Sequence, residues 1–370
     1  MSTTLAAYLH DLSPFVFRVG SGFGLRWYGL SYVAGFVVAW LWMRWMARRG
    51  ITPLSPDRVT DAMVYLVGGV LVGGRLGYVL FYRPDLLADF SGSFPWWGVL
   101  RLNEGGMASH GGIAGVIIAS FLIARPGREP GGAPTPRVPV LHVLDLFALA
   151  CTPGLLFGRL ANFINGELLG KVVAGPGEAA PWWSVRYPQE AYTPQAPDGQ
   201  EAALSVMLEK YRLPTEQTDI ETYERIVGAL QSGGVRAREI AADLAPLLSA
   251  RHPSQLYQGA TEGLLAGAAL WMIWRRPRLP GVVGAWFLIL YGVVRVLTEF
   301  IRLPDSHLAV QRIAGLSRGQ WLSVAMIVVG AVAIAIIRAR GAPAMGGWGR
   351  AGQAERTGRA GARNSGEVRP

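Results

Sequence analysis

GRLANFINGELLG, residues 158–170, places an Arg, two Asn and a Glu at the end of an apolar segment that runs from about 139 to 158. A charge at the centre of a bilayer costs at least ~2.5 kcal/mol, so an ionisable side chain at that depth faces a site or a partner. The pattern recurs along the chain. Arg75 lies in one apolar segment, His110 in another, and Arg295 with Glu299 in a third. Several cations kept in apolar helices imply something anionic to hold.

The composition agrees with a membrane solvent. Hydrophobic residues make up 51% of the chain and charged residues only 16%, below the usual quarter for globular proteins. Mean hydropathy is +0.28. The formal charge of +10, carried mainly by Arg, fits cytoplasmic loops and attraction to anionic lipid. It does not suggest nucleic acid, because no basic run is interleaved with exposed aromatics. The single Cys151 excludes an intramolecular disulfide and reads as a small packing residue in LDLFALACTPG, with no neighbouring cation to activate it as a nucleophile. The first residues lack a basic region followed by an uninterrupted apolar core, so they do not read as a cleavable signal.

Seven apolar segments are near the length needed to span: 27–46, 59–82, 105–124, 139–158, 254–274, 281–301 and 320–338. The fold class expected is an all-α polytopic membrane protein with seven transmembrane helices. Arg44, Arg48, Arg49 and Arg58 follow the first segment, Arg125, Arg128 and Arg137 the third, and Arg275, Arg276 and Arg278 the fifth. These arginine-rich loops should be cytoplasmic, which puts the N-terminus outside and the C-terminus in the cytoplasm. Residues 1–26 then form an extracytoplasmic arm, 27–170 carry spans one to four, and 254–338 carry spans five to seven. Between them, 171–253 is a polar, proline-bearing insert expected outside as a small head, with amphipathic helices near 219–230 and 235–249. Residues 339–370 read as a disordered basic cytoplasmic tail, having almost no large apolar residues after 341.

Glycines cluster in the second segment (Gly68, Gly69, Gly73, Gly74, Gly77) and the third (Gly105, Gly106, Gly111, Gly112, Gly115). Close helix packing through small residues is one reading. An irregular backbone lining a cavity is the other.

Tyr291, Arg295 and Glu299 are spaced i, i+4, i+8, which sets all three on one helical face. An Arg295–Glu299 ion pair would merely neutralise both charges. Alternatively Arg295 is poised for a phosphate, with Glu299 orienting it. Arg159 and Asn162 also share a face, and Asn165 and Glu167 follow where that helix should end. A guanidinium is planar, always charged and bidentate, which suits a phosphate. His110 in NEGGMASHGGIAGV is either a helix–helix hydrogen-bond donor or the base of the site, since imidazole ordinarily titrates near neutrality. His142 and Asp145 fall at the opposite end, His252 starts the fifth segment, and His10 and His307 look peripheral. No HExxH or Cys pair suggests a metal, and GSGFG near Gly20 does not follow a strand, so a dinucleotide site is not indicated.

The chain resembles the bacterial prolipoprotein diacylglyceryl transferase family. The resemblance covers most of 15–338 through RWYGLSYVAGF (26–36), GGRLGYVLFY (73–82), EGGMASHGGIAGV (104–116), GRLANFINGELLG (158–170), HPSQLYQ (252–258) and YGVVRVLTEFIRLPD (291–305). It implies a multi-pass enzyme of the bacterial cytoplasmic (inner) membrane that moves a diacylglyceryl group from phosphatidylglycerol to the lipobox cysteine thiol of a preprolipoprotein signal peptide. Carried over by motif, His110, Arg159 and Arg295 would be catalytic, and Arg159, Asn162, Tyr28, Glu167, Gly170, Tyr291 and Glu299 would bind substrate. No metal or soluble cofactor is expected. Arg26 stands where many relatives carry His, and the head insert and basic tail exceed the family pattern. The readings of another class are a phospholipid transporter or flippase, for which internal repeats would be the sign, and an intramembrane protease, which lacks a credible nucleophile here.

Overall fold

The computed structural model describes residues 7–19, 23–101, 105–128, 132, 134–192, 199–303, 312–313 and 315–349. The chain is mostly helical: α1 (Trp27–Arg48), α2 (Pro56–Tyr82), α3 (Ser109–Ile123), α4 (Val140–Asn165), α5 (Gln200–Tyr211), α6 (Asp219–Ser232), α7 (Val235–Leu244), α8 (Ser254–Gln258), α9 (Ala266–Ile273), α10 (Val282–Glu299) and α11 (Arg318–Arg340). Among the described residues, five helices are long and apolar enough to cross a membrane: α1, α2, α4, α10 and α11. The third apolar segment forms a shorter helix of 15 residues. It starts at Ser109 rather than 105 because Gly105 and Gly106 adopt φ of 82° and 80°, outside the helical region. The fifth segment is helical in three pieces, α8 and α9 being joined by a π-helical turn, Gly259–Leu265. π-turns of this kind are frequent at functional sites.

The chain divides into two compact units. The first comprises 1–35, 152–266 and 289–328. It holds most of the small β component that an all-α reading leaves out. Strands Tyr8–Leu9, Val185–Arg186, Ala250–Arg251 and Val172–Ala174 form one sheet in that order, so the N-terminal arm and the head insert share a sheet. The first strand leads into His10, which is not peripheral. Its ring is 1% exposed, sits against Phe163 and Tyr187, and places Nε2 at 2.7 Å from the Phe163 carbonyl near the end of α4. Burial pushes its imidazole below the ordinary range, favouring the neutral form. His307 lies outside the described residues.

The head packs α5, α6 and α7 around Leu208, Ile226, Ile240 and Leu244. α6 opens with a capping box between Thr218 and Glu221. α5 was not expected from the sequence, although Leu204, Met207, Leu208 and Tyr211 repeat at i, i+3, i+4, i+7. Glu216 joins the helices: it accepts from Arg225, the Leu213 N–H and Thr222 Oγ1. The Arg225 hydrogen bond, its largest influence, holds the carboxyl at about 2, against an ordinary 4.5. A depressed carboxyl pKa stabilises the fold above the unfolded pKa and loses that contribution as protons bind. Limited proteolysis of the insert in the full-length protein should therefore accelerate as pH falls from about 4.5 toward 2, and Glu216→Gln should flatten that dependence.

The second unit comprises 36–151, 267–288 and 329–370. Here the glycines bring α2 against α3. A Cβ added at Gly73 would lie 3.0 Å from the Gly115 Cα, and one at Gly77 would lie 2.7 Å from the Gly111 Cα. Packing is thus what Gly69, Gly73, Gly77, Gly111 and Gly115 do, as small residues between apolar helices allow. Gly73→Leu should cost ~1–3 kcal/mol or more by overpacking. A thermal melt in detergent checks it against Gly68→Leu, since a Cβ at Gly68 meets nothing within 4 Å.

Asp145 accepts the Gly281 and Gly284 N–H groups, each at 2.7 Å, at the start of α10. His142 bonds Thr52. Both are structural here. The tail is ordered past α11: Met345 pairs with Arg278, and Trp348 stacks on Trp271 while donating to its carbonyl at 2.8 Å. This corrects the reading of disorder from 339 on. Residues 350–370 lie outside the described residues.

Candidate functional site

α4 runs past 158, where the apolar segment ends, as far as Asn165. Gly166 follows Asn165 with φ of 66°, the left-handed C-terminal stop that glycine supplies without a Cβ clash. The next residues form a loop whose carbonyls are almost all held. Gln255 donates to Glu167 O, Ser254 Oγ to Leu168 O, Leu303 N to Leu169 O, Arg251 to Gly170 O and His252 N to Lys171 O. HPSQLYQ is therefore a scaffold for GELLG, which settles how His252 and its neighbours serve the chain. Leu168 takes φ of 57°, costly for a branched side chain and sustained only by such over-determination. Gly170 has a steric reason as well: a Cβ there would run into the His252 backbone carbonyl. A buried ion pair, Arg251–Glu190, both side chains 0% exposed, anchors this scaffold to the head.

Glu167 is exposed and takes hydrogen bonds from Asn162 Nδ2 at 3.2 Å and Asn165 Nδ2 at 3.1 Å. The Asn162 amide is thus directed to Glu167. Tyr28 opens α1 with its hydroxyl 3.4 Å from that of Tyr32 and interacts electrostatically with Glu167 and Arg159.

Arg159 and Arg295, from α4 and α10, meet at one residue absent from the sequence-based expectations. Glu262, carried on the π-helical turn and 0% exposed, takes Arg159 Nε at 3.0 Å and Nη2 at 2.9 Å on Oε2. Arg295 Nη1 lies 3.8 Å from the other oxygen, Oε1, and Arg295 Nη2 lies 3.8 Å from Glu299 Oε2. Gly259 and Gly263 let this turn close on α4, since Cβ atoms there would meet Arg159 and Leu156. Tyr291 faces the same group and interacts with Glu262, Arg295 and Arg159. The expected face of Tyr291, Arg295 and Glu299 is therefore real, and the Arg295–Glu299 pair exists but is long. Glu262 is the only acid in 254–274. An acid inside an apolar segment was the signal that could have found it.

Charge alone does not call for a ligand here, because two guanidiniums face two carboxylates. Hydrogen-bond capacity does. Among the described residues, Arg295 Nη1, Glu262 Oε1 and Glu299 Oε2 are buried without a hydrogen bond. Arg295 is thus electrostatically paired while keeping donors to offer, and leaving buried donors unmet costs ~1–3 kcal/mol each. An acceptor answers the Arg295 donor, whereas the two carboxylate oxygens call for donors.

Arg75 proves to hold no anion. Its guanidinium donates to the carbonyls of Val99, Gly98, Gly105 and Gly106 at 2.6–3.1 Å, bracing the loop that leads into α3. His110 belongs to the second unit, in the first turn of α3. Its ring lies against Phe81 and Tyr82 and is exposed.

The family model for prolipoprotein diacylglyceryl transferase matches residues 14–336. The chain belongs to this family of membrane transferases. It is 42% identical to the phosphatidylglycerol–prolipoprotein diacylglyceryl transferase of Bdellovibrio bacteriovorus over 362 residues, covering 92% of this chain and 97% of that one. It is 36% identical to the enzyme of that name from Ruegeria pomeroyi (90% and 97% covered). Against the one from Neisseria gonorrhoeae identity is 35% (87% and 95% covered).

Proposed function

We propose that this protein transfers the diacylglyceryl group of phosphatidylglycerol to the lipobox cysteine of a preprolipoprotein signal peptide, in the bacterial inner membrane. The observation that carries the reading is the convergence of Arg159 and Arg295 on buried Glu262, with Arg295 donors unspent. A lipid phosphodiester is the anion that reaches guanidiniums carried on apolar helices. The chain crosses seven times, the two shorter apolar helical segments being spans as well. The arginine-rich loops and tail are cytoplasmic, and the arm and the 171–253 head are outside.

In the reaction the thiol loses its proton to His110, because a thiolate is the competent nucleophile. The sulfur attacks the glycerol carbon bearing the phosphate ester. A C–S bond forms, the C–O bond breaks, and its electron pair leaves on glycerol phosphate. Arg295 and Arg159 stabilise the charge growing on that oxygen, in a setting where fixed donors are worth more than in water. Tyr291, Glu262 and Glu299 hold the two guanidiniums. Glu167, fixed by Asn162 and Asn165, receives substrate beside Tyr28, and Gly170 lets the scaffold close. The chemistry needs no metal or soluble cofactor.

The test is to incubate the purified protein with phosphatidylglycerol and a lipobox peptide. A peptide mass gain of one diacylglyceryl unit on the cysteine is expected. Lipid movement without covalent change would indicate a transporter, and peptide cleavage a protease.

A further inference from the structure

Arg295 keeps donors to offer partly because its own neighbour does not close on it. Glu299 stands one turn further along α10, at the spacing where acids and arginines on a helix ordinarily pair. Yet its Oε2 stays 3.8 Å from Arg295 Nη2, beyond hydrogen-bond reach, and is buried without a hydrogen bond. The other oxygen accounts for the gap. Oε1 accepts from Ser317 Oγ at 2.9 Å. Ser317 ends the short strand Leu316–Ser317, directly before α11, and is 8% exposed. The carboxylate also lies over the first turn of α11, since a Cβ added at Gly319 would come within 3.2 Å of Oε1. A helix N-terminus favours negative charge there.

The Ser317 oxygen is itself fixed. It caps α11 by accepting the Gln320 N–H at 3.1 Å, and Gln320 Oε1 accepts the Ser317 N–H at 3.0 Å, a reciprocal capping box. A hydroxyl has one proton to give, and here it goes to Glu299. One carboxylate oxygen is thus turned toward α11 and the other is held short of Arg295. Freed of the Ser317 bond, the carboxylate has the Arg295 guanidinium within 4 Å to turn to, and closing on it would consume a donor. We infer that Ser317 is a positioning residue of the transfer reaction: through Glu299 it keeps the Arg295 guanidinium open for the lipid phosphate. The inference rests on the reading that Arg295 receives that phosphate, and Ser317 itself touches no substrate.

The test is kcat/KM for phosphatidylglycerol in peptide lipidation, with retention of that lipid by the intact protein measured in parallel. Ser317→Gly removes the hydroxyl at little cost to the helix cap, since Gly is itself a favoured cap residue. It should lower kcat/KM and lipid affinity about tenfold, the scale of one lost hydrogen bond to a charged group. Ser317→Thr, which keeps the hydroxyl, should stay within about twofold of the wild type. Gln320→Ala loosens the same helix end but leaves the Ser317–Glu299 bond. It should lower the melting temperature while moving kcat/KM less than about twofold. In a Glu299→Ala background, Ser317→Gly should add no further loss, because the two side chains act as one unit. A wild-type kcat/KM in Ser317→Gly, an equal loss in Gln320→Ala, or a full additional loss in the Glu299→Ala background would each overturn the inference. If the wild type lipidates no peptide, lipid retention carries the same comparison: a loss in Ser317→Gly that Gln320→Ala does not share keeps the positioning role while the transfer reading falls.

Discussion

Glu262→Ala is expected to be among the most damaging single substitutions in the chain, lowering both stability and transfer. The side chain is 0% exposed and bonds Arg159 at 2.9–3.0 Å while facing Arg295 at 3.8 Å. Removing it leaves two guanidiniums with Glu299 as the one carboxylate of the cluster. Breaking a buried pair by deleting one partner costs ~3–5 kcal/mol, because the remaining charge has lost its compensation. The guanidiniums would also lose the residue that sets their geometry, and misplacement of ~1 Å can cost about a hundredfold in rate. A thermal melt in detergent together with the peptide-lipidation rate measures both effects. Glu262→Gln should recover part of the stability, because one amide can still accept from Arg159. Wild-type melting and turnover in Glu262→Ala would show that the two arginines do not depend on this carboxylate.

His110→Gln is expected to reduce transfer by a factor of about 10²–10⁴, the range general-base catalysis supplies. Glutamine keeps a polar side chain of similar reach but cannot take up a proton at neutral pH. The ring stands in the first turn of α3 beside Phe81 and Tyr82, exposed and outside the α2–α3 glycine contact, so the substitution should leave the fold intact. Phosphatidylglycerol binding should persist. Lipidation at the wild-type rate would remove His110 as the base, and loss of lipid binding would make it a binding residue.

The five long apolar helices are readable from run length, because hydrocarbon imposes that length on any spanning helix. The departures have local causes. Gly105 and Gly106 look helical by apolarity, but their left-handed backbone delays α3 to Ser109. Strands such as Tyr8–Leu9 and Ala250–Arg251 have two residues each, too few for a period of two to register. Arg75 and Arg295 are each the one Arg of an apolar segment, and only Arg295 has an acid, Glu299, one turn away. Only the fold shows that four backbone carbonyls consume the first while the second keeps donors free. Likewise the spacing of Tyr291, Arg295 and Glu299 fixes their common face, but Glu262 comes from a different helix, and i, i+4 reasoning does not reach across helices.

The most direct measurement is native mass spectrometry of the detergent-purified protein, counting phosphatidylglycerol retained by the wild type and by the double variant Arg159→Ala, Arg295→Ala. One tightly held lipid on the wild type and none on the double variant is the expected result. A lipid retained equally by both would contradict the assignment of the phosphodiester to this pair of guanidiniums.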